Sequence, residues 1–254
     1  MKFGIYSSIA NPPRGEDLPR CVDEVIEEAQ LAEQAGFDSC FFGEHHQDKD
    51  GFLPSPLIVC TAVAASTTNL RVGTSVILLP LHHPVRLAED VATLDIVSKG
   101  RVTVGVGLGY QQADFDAFGV NMSDRVELFE EKVDILGKCW SGEEFSYEGK
   151  HHKIENLTVR PAPIQKPTPP LWIGASAPVS ARRAANIADA IVTTPSTTLD
   201  NTVKLIDQYK TAAVAAGKTP VPVIMRDAWV ANSRKEADEV YGPEVMAAYR
   251  YYWQ

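Results

Sequence analysis

The sequence predicts a parallel α/β fold, a TIM-like (β/α)8 barrel that stops before its eighth strand, and three observations carry that prediction. Short β-branched apolar runs alternate with longer stretches of helical period, the pattern of βα units around a parallel sheet. Seven such units follow one another in 254 residues, which favours a barrel over a doubly wound sheet. Histidines, a glutamate and glycines follow the strands, at the rim where such barrels carry their chemistry.

Taken in order, strands are expected at 3–7, 39–43, 71–78, 101–106, 171–174, 190–193 and 221–230. Helices are expected at 19–35, 55–67, 84–98, 123–140, 178–188, 199–216 and 233–250. In the first helix Val22, Val25, Ile26, Ala29, Leu31 and Ala32 read as one apolar stripe, and Gly36 reads as its C-terminal cap. Residues 141–170 break the rhythm with Gly, Pro and polar positions, as a hairpin and an extended connection inserted into one domain that spans 1–254.

Composition narrows the function. With 44% hydrophobic and 22% charged residues the chain reads as an ordinary soluble protein, and a formal charge of −9 without a basic run argues against nucleic acid. No apolar stretch approaches the roughly 18 residues of a membrane span, and no leader pattern precedes the first strand, so a cytoplasmic protein is expected. Cys21, Cys40, Cys60 and Cys139 lack C-x-x-C spacing and read as reduced, mostly buried thiols.

The rim holds Glu44-His45-His46, then Pro80-Leu81-His82-His83-Pro84, then Gly105-Val106-Gly107-Leu108-Gly109. Imidazoles at a rim serve as bases near neutral pH or as metal ligands. Adjacent histidines point to opposite sides of an extended segment and no H-x-H or H-E-x-x-H occurs, so no metal is expected. His82 and His83 flank a proline turn and read first as shaping that loop. His151 and His152, inside the insertion, read as solvated. The glycine run lacks the last glycine of a dinucleotide fingerprint and is not followed by an apolar helix start. Close approach to a flat ligand is the first reading of it, and a structural turn the second. Phe115, Phe118 and Trp172 fit a pocket lining or a core equally well.

Several segments in series resemble the bacterial-luciferase-like flavin-dependent monooxygenases. They include Ala35-Gly36-Phe37-Asp38, Glu44-His45-His46, Val72-Gly73-Thr74-Ser75, His83-Pro84-Val85-Arg86-Leu87-Ala88-Glu89-Asp90 and Ser98-Lys99-Gly100-Arg101. Asp114-Phe115, Phe118-Gly119, Pro169-Pro170-Leu171-Trp172-Ile173-Gly174 and Ala188-Asp189-Ala190 continue the series to about residue 230. The resemblance implies a barrel that binds reduced FMN or, in some relatives, F420. It implies that His45 is the catalytic acid/base, with Glu44 beside it near the ring, and that Ser75-Val76 forms a non-proline cis peptide against the ring. Arg125, Ser176 and Ser180 are implied at the flavin phosphate, which suits a helix N-terminus with hydroxyls and a bidentate cation. Gly107 stands beside the flavin where light-emitting members carry a reactive cysteine, which argues against light emission. Leu108 replaces a second phosphate-binding arginine, which weakens the phosphate site.

The implied activity is oxygenation of a small organic substrate, such as an aldehyde, with O2 and a reduced flavin supplied by a separate reductase. The alternatives are an F420-dependent hydride transfer without O2, a non-catalytic flavin-binding protein, and a metal-dependent barrel hydrolase. The resemblance also implies a homo- or heterodimer through the second and third helices, where Ala62, Ala65, Ala88 and Ala92 would suit close packing. Finally, the absence of an eighth strand after 221–230 is expected to leave strand edges and aromatic residues near Tyr249, Tyr251, Tyr252 and Trp253 uncovered, as in a fragment of a longer chain.

Overall fold

The computed structural model describes residues 1–7, 18–48 and 53–252. It falls into two compact units, Met1–Gly174 with Ile187–Asp189, and Ala175–Asn186 with Ala190–Gln254.

The first unit begins with β1 (Gly4–Ser7), α1 (Leu18–Gln34), β2 (Ser39–Phe42), α2 (Pro56–Ser66) and β3 (Arg71–Thr74). It continues through β4 (Ile77–Leu78), a 3-10 turn at Leu79–Leu81, α3 (Pro84–Val97), β5 (Val102–Gly107), α4 (Gln112–Ala117) and α5 (Arg125–Ser141). The hairpin β6 (Phe145–Glu148) and β7 (Lys153–Leu157) precedes β8 (Leu171–Ala175). Strands β1, β2, β3, β5 and β8 are neighbours in that order, all parallel, with Gly4 opposite Ser39, Ser39 opposite Arg71, Val72 opposite Val102 and Val104 opposite Leu171.

Local chemistry explains the boundaries. Proline at the first turn starts α2 and α3, where a missing N–H costs nothing, and Gly142 at φ +76° ends α5. Gly36, at φ +85°, follows α1 as its sequence position foretells. Val25, Ala29 and Ala32 form the buried stripe of α1, but Leu31 is 63% exposed. Six residues beyond Val25 lies about 120° around a helix, on the solvent side.

Three further expectations give way to the structure. The single strand expected at 71–78 is two, β3 and β4, which meet β5 at Val102 and at Val106 and are divided at Ser75-Val76, whose peptide bond is cis. His151 and His152 are not solvated. The hairpin folds onto α5, where the Glu131 carboxylate accepts the N–H groups of Lys150 and His151 and lies 2.9 Å from His152 Nδ1. His151 Nε2 is 3.1 Å from Glu127. Ala88 and Ala92 are fully buried, because α5 covers them and Trp140 donates its indole N–H to the Ala88 carbonyl. Of the four alanines expected at a subunit contact, Ala65 is exposed and Ala62 half-buried.

The second unit contains α6 (Pro178–Ile187), β9 (Ala190–Thr193), α7 (Leu199–Ala215), β10 (Pro222–Val223) and α8 (Arg234–Tyr252). The long strand expected at 221–230 shrinks to β10, which pairs with β9 at Ile191 and Val192. Pro220 and Pro222 bring no N–H to a ladder, and the Val221 N–H goes to the Tyr209 hydroxyl. Beyond β10 the chain is held by Arg226, which donates to the Pro195 and Thr197 carbonyls and to Thr202 Oγ1. Trp229 stacks on Tyr241 at 5.2 Å, and the Tyr249 hydroxyl donates to Asp227 at 2.5 Å. The side chains of Tyr251 and Tyr252, and all of Trp253, lie outside the described residues.

Candidate functional site

Strand β2 ends by delivering Glu44 into the interior of the first unit, where its side chain is 1% exposed. The Glu44 N–H donates to the Val76 carbonyl at 3.2 Å, which joins the rim of β2 to the break between β3 and β4. Glu44 Oε1 lies 2.9 Å from His46 Nε2 and 2.7 Å from His82 Nε2, and Oε2 accepts the Leu78 N–H at 2.5 Å. An ionised carboxylate only accepts, so both imidazole Nε2 atoms carry hydrogen. Burial pushes the Glu44 carboxyl upward, but the hydrogen bonds from His46 and His82, the His82 charge and the Leu78 N–H outweigh it and hold the group down at about 2. The His46 imidazole is raised, first by its hydrogen bond to Glu44, against burial and with help from the charges of Glu44, Asp114 and Asp48. Its ring packs 4.7 Å from that of Phe118.

His45 turns the other way, as alternation along an extended segment requires. Its N–H donates to the Leu53 carbonyl, and its Nδ1 stands 3.6 Å from Asp48 Oδ2. Gln47, in the left-handed region at φ 61°, donates through Nε2 to Asp114 Oδ1 at 3.2 Å and ties this loop to α4. Among the described residues no group of three or more His, Cys, Asp or Glu side chains is arranged to hold a metal ion.

Ser75 and Val76 line the same end of the sheet. Ser75 Oγ is buried without a hydrogen-bond partner, the kind of polar atom that a bound molecule can satisfy. Val76 is packed between two glycines. A Cβ on Gly107 would lie 2.6 Å from Val76 Cγ2, and one on Gly174 would lie 3.2 Å from Cγ1. A Cβ on Gly105 would meet the Thr74 carbonyl at 2.1 Å, and Thr74 Oγ1 both donates to the Gly105 carbonyl and accepts its N–H. Gly109, at φ +75°, faces the Phe115 ring. The glycine run therefore makes room for the chain itself, as the structural reading of it expects. A helix does come after the run, the short α4, whose Asp114 and Phe115 are buried.

Glu44, Ser75, Val76 and Gly107 are thus brought together within the first unit. Arg125 opens α5 in the same unit, with Nη1 donating to the Met122 carbonyl at 2.9 Å. Ser176 and Ser180 belong to the second unit. Ser176 is exposed, and Ser180 is buried in the first turn of α6, exchanging hydrogen bonds with the Ala177 N–H and carbonyl. Phe115 is core, Phe118 is 47% exposed beside His46, and Trp172 is half-buried at 4.8 Å from Phe41. His46, to which the sequence assigned no role, and His82, read first as shaping its loop, both meet the Glu44 carboxylate. Their signal was the pair of histidine doublets, each contributing one imidazole to the same carboxylate.

The sequence matches the family described as luciferase-like monooxygenase over residues 1–253. It is 27% identical to the oxygenase component of a flavin-dependent trigonelline monooxygenase from Acinetobacter baylyi, over 99% of this chain and 71% of that protein. It is 33% identical to an F420-dependent glucose-6-phosphate dehydrogenase from Microbacterium testaceum, over 78% of this chain and 60% of the other. The crystal structure of monooxygenase RslO1 from Streptomyces bottropensis superposes with a TM-score of 0.91 at 29% identity, covering 98% of this chain and 78% of that one. This likeness bears out the TIM-like α/β class. The chain spans 48% to 71% of the length of the curated relatives it matches.

Proposed function

Because the chain belongs to the luciferase-like monooxygenase family, we propose that it binds reduced FMN, received from a separate reductase, and uses O2 to oxygenate a small organic substrate. The observation that carries the reading is a buried carboxylate braced by two imidazoles next to the unpartnered Ser75 hydroxyl. These residues fit a flavin, whose ring edge alternates donors and acceptors and can satisfy Ser75 Oγ. Reduced flavin supplies the electrons that activate O2, chemistry that no side chain provides.

The chain's own residues have separable tasks. Ser75 and Val76 offer the ring a backbone edge and a flat apolar contact. Glu44 keeps its negative charge and orients His46 and His82. His45, with Asp48 near its Nδ1, moves a proton at the reacting centre. Arg125 has one N–H committed to Met122, and its guanidinium has further donors for a phosphate. The A. baylyi relative is an oxygenase component, which supports the separate reductase. Among the described residues no helix is long and apolar enough to cross a membrane, and the buried thiols of Cys40, Cys60 and Cys139 suit a reducing cytoplasm. A dimer remains part of the reading, and a monomer by sedimentation would contradict it.

The F420 relative supports a second reading, hydride transfer without O2. Titration of the purified chain with reduced FMN and with reduced F420, while O2 is followed, separates the two. FMN binding with O2 consumption supports the first. F420 binding with no O2 uptake replaces it with the second, and binding of neither refutes both. His45→Ala should keep flavin affinity within a few-fold and slow oxygenation by about 10²-fold or more, the usual contribution of an acid/base group.

A further inference from the structure

Lys132 has no part in the site described above, yet its setting asks for an explanation. It lies on α5, 5% exposed, among Phe129, Val133, Ile135 and Leu136, where an aliphatic residue would fill the space without the cost of desolvating an ammonium group. Its Nζ donates to the Pro80 carbonyl at 2.8 Å. Glu131, next along the helix, is engaged by the hairpin through the Lys150 and His151 N–H groups and His152.

Pro80 is the centre of the 3-10 turn Leu79–Leu81. The residues on either side of that turn hold Glu44, Leu78 through its N–H on Oε2 and His82 through its ring on Oε1. The turn therefore works as a clip on the carboxylate, and Lys132 is bonded to the middle of the clip from behind. We propose that Lys132 is a positioning residue, whose bond to Pro80 fixes the turn so that Leu78 and His82 both reach Glu44. Burial draws the ammonium down to about 8, with Glu131 opposing, as expected of a lysine placed for its bond and not for its charge. The consequence for turnover rests on the proposed flavin reading, whereas the geometry at Glu44 can be tested without any cofactor.

The test is NMR of the full chain, comparing wild type, Lys132→Met, Lys132→Gln and, as a control on the same helix, the more exposed Lys138→Met. The Leu78 amide proton, donated to a carboxylate at 2.5 Å, should resonate far downfield in wild type and in the control. Lys132→Met should lose that downfield signal and let the His46 ring titrate closer to its ordinary midpoint. Lys132→Gln, which keeps a donor on a shorter stem, should fall between. A lowered melting temperature with the Leu78 and His46 signals unchanged would make Lys132 a structural post only and overturn the proposal. Should Lys132→Met fail to fold, unchanged signals in Lys132→Gln would overturn it equally. Failure of the flavin reading would leave these signals untouched, so the two outcomes are distinguishable.

Discussion

Replacing Glu44 by Gln keeps the shape of the side chain, removes its charge, and places an NH2 group where only acceptors fit. The folded carboxyl sits at about 2 against an ordinary 4.5, a difference worth on the order of 3 kcal/mol at about 1.36 kcal/mol per unit. Because the side chain is 1% exposed, solvent screening takes little from that figure. The sign follows from the direction: a lowered carboxyl stabilises the fold above pH 4.5, and the contribution is lost as pH falls through about 2. His46, raised by the same bond, stabilises below its unfolded value near 6.5, and that contribution is lost as pH rises through its folded value. These are two faces of one interaction and are not summed. Wild type should therefore exceed Glu44→Gln most between about pH 4.5 and 6.5, by roughly 6–12 °C in melting temperature for a chain of this size. The gap should narrow on both sides. Urea and thermal unfolding at about pH 3, 5.5 and 8 provide the measurement, and a gap that is equal at all three, or below about 1 kcal/mol at 5.5, would refute the reasoning.

Arg125→Ala should weaken binding of FMN far more than of riboflavin, because only FMN carries the phosphate; equal losses by fluorescence titration would mean that Arg125 acts through its bond to Met122. Thr74→Val should cost about 1–3 kcal/mol in chemical denaturation, since it strands the buried Gly105 N–H and carbonyl, and Thr74→Ser should recover most of it. Gly105→Ala should abolish cooperative unfolding and near-UV dichroism, its Cβ falling 2.1 Å from a backbone oxygen. Gly36→Ala meets nothing within 4 Å and, strained only by φ +85°, should cost about 1 kcal/mol.

The βα rhythm was legible because a parallel sheet buries both faces, so its strands read as short runs rich in β-branched residues, as in Val102–Gly107, where all six residues are buried. The same rule misled at 221–230. Apolar content there resembles a strand, but prolines remove donors and Arg226 fastens the segment from the side. Helix α3 shows a different limit. Its sequence is apolar on more than one face, and nothing in it tells which face α5 covers, so Ala88 and Ala92 were assigned to a partner subunit although the chain buries them itself. In the site, the series of motifs located Glu44, Ser75, Val76 and Gly107, which the fold does bring together. It could not locate the Glu44 clip, because a sequence does not say which member of a histidine doublet turns inward, and His82 is 38 positions away from its partner.

That clip redistributes the proton chemistry of the rim. A buried carboxyl left alone would take up a proton and become a ready acid at neutral pH. Glu44 is prevented from doing so by two imidazoles and a backbone N–H, and a group held at about 2 has no proton to give at neutral pH and little basicity to offer. Its work is to hold the hydrogens of His46 and His82 on Nε2, which orients both rings. The His46 imidazole is drawn toward the charged form, first by its hydrogen bond to Glu44 and then, against burial, by the charges of Glu44, Asp114 and Asp48. On the other side of the segment, His45 Nδ1 stands 3.6 Å from Asp48 Oδ2. Geometry thus sets a donor from His46 against a carboxylate that keeps its negative charge.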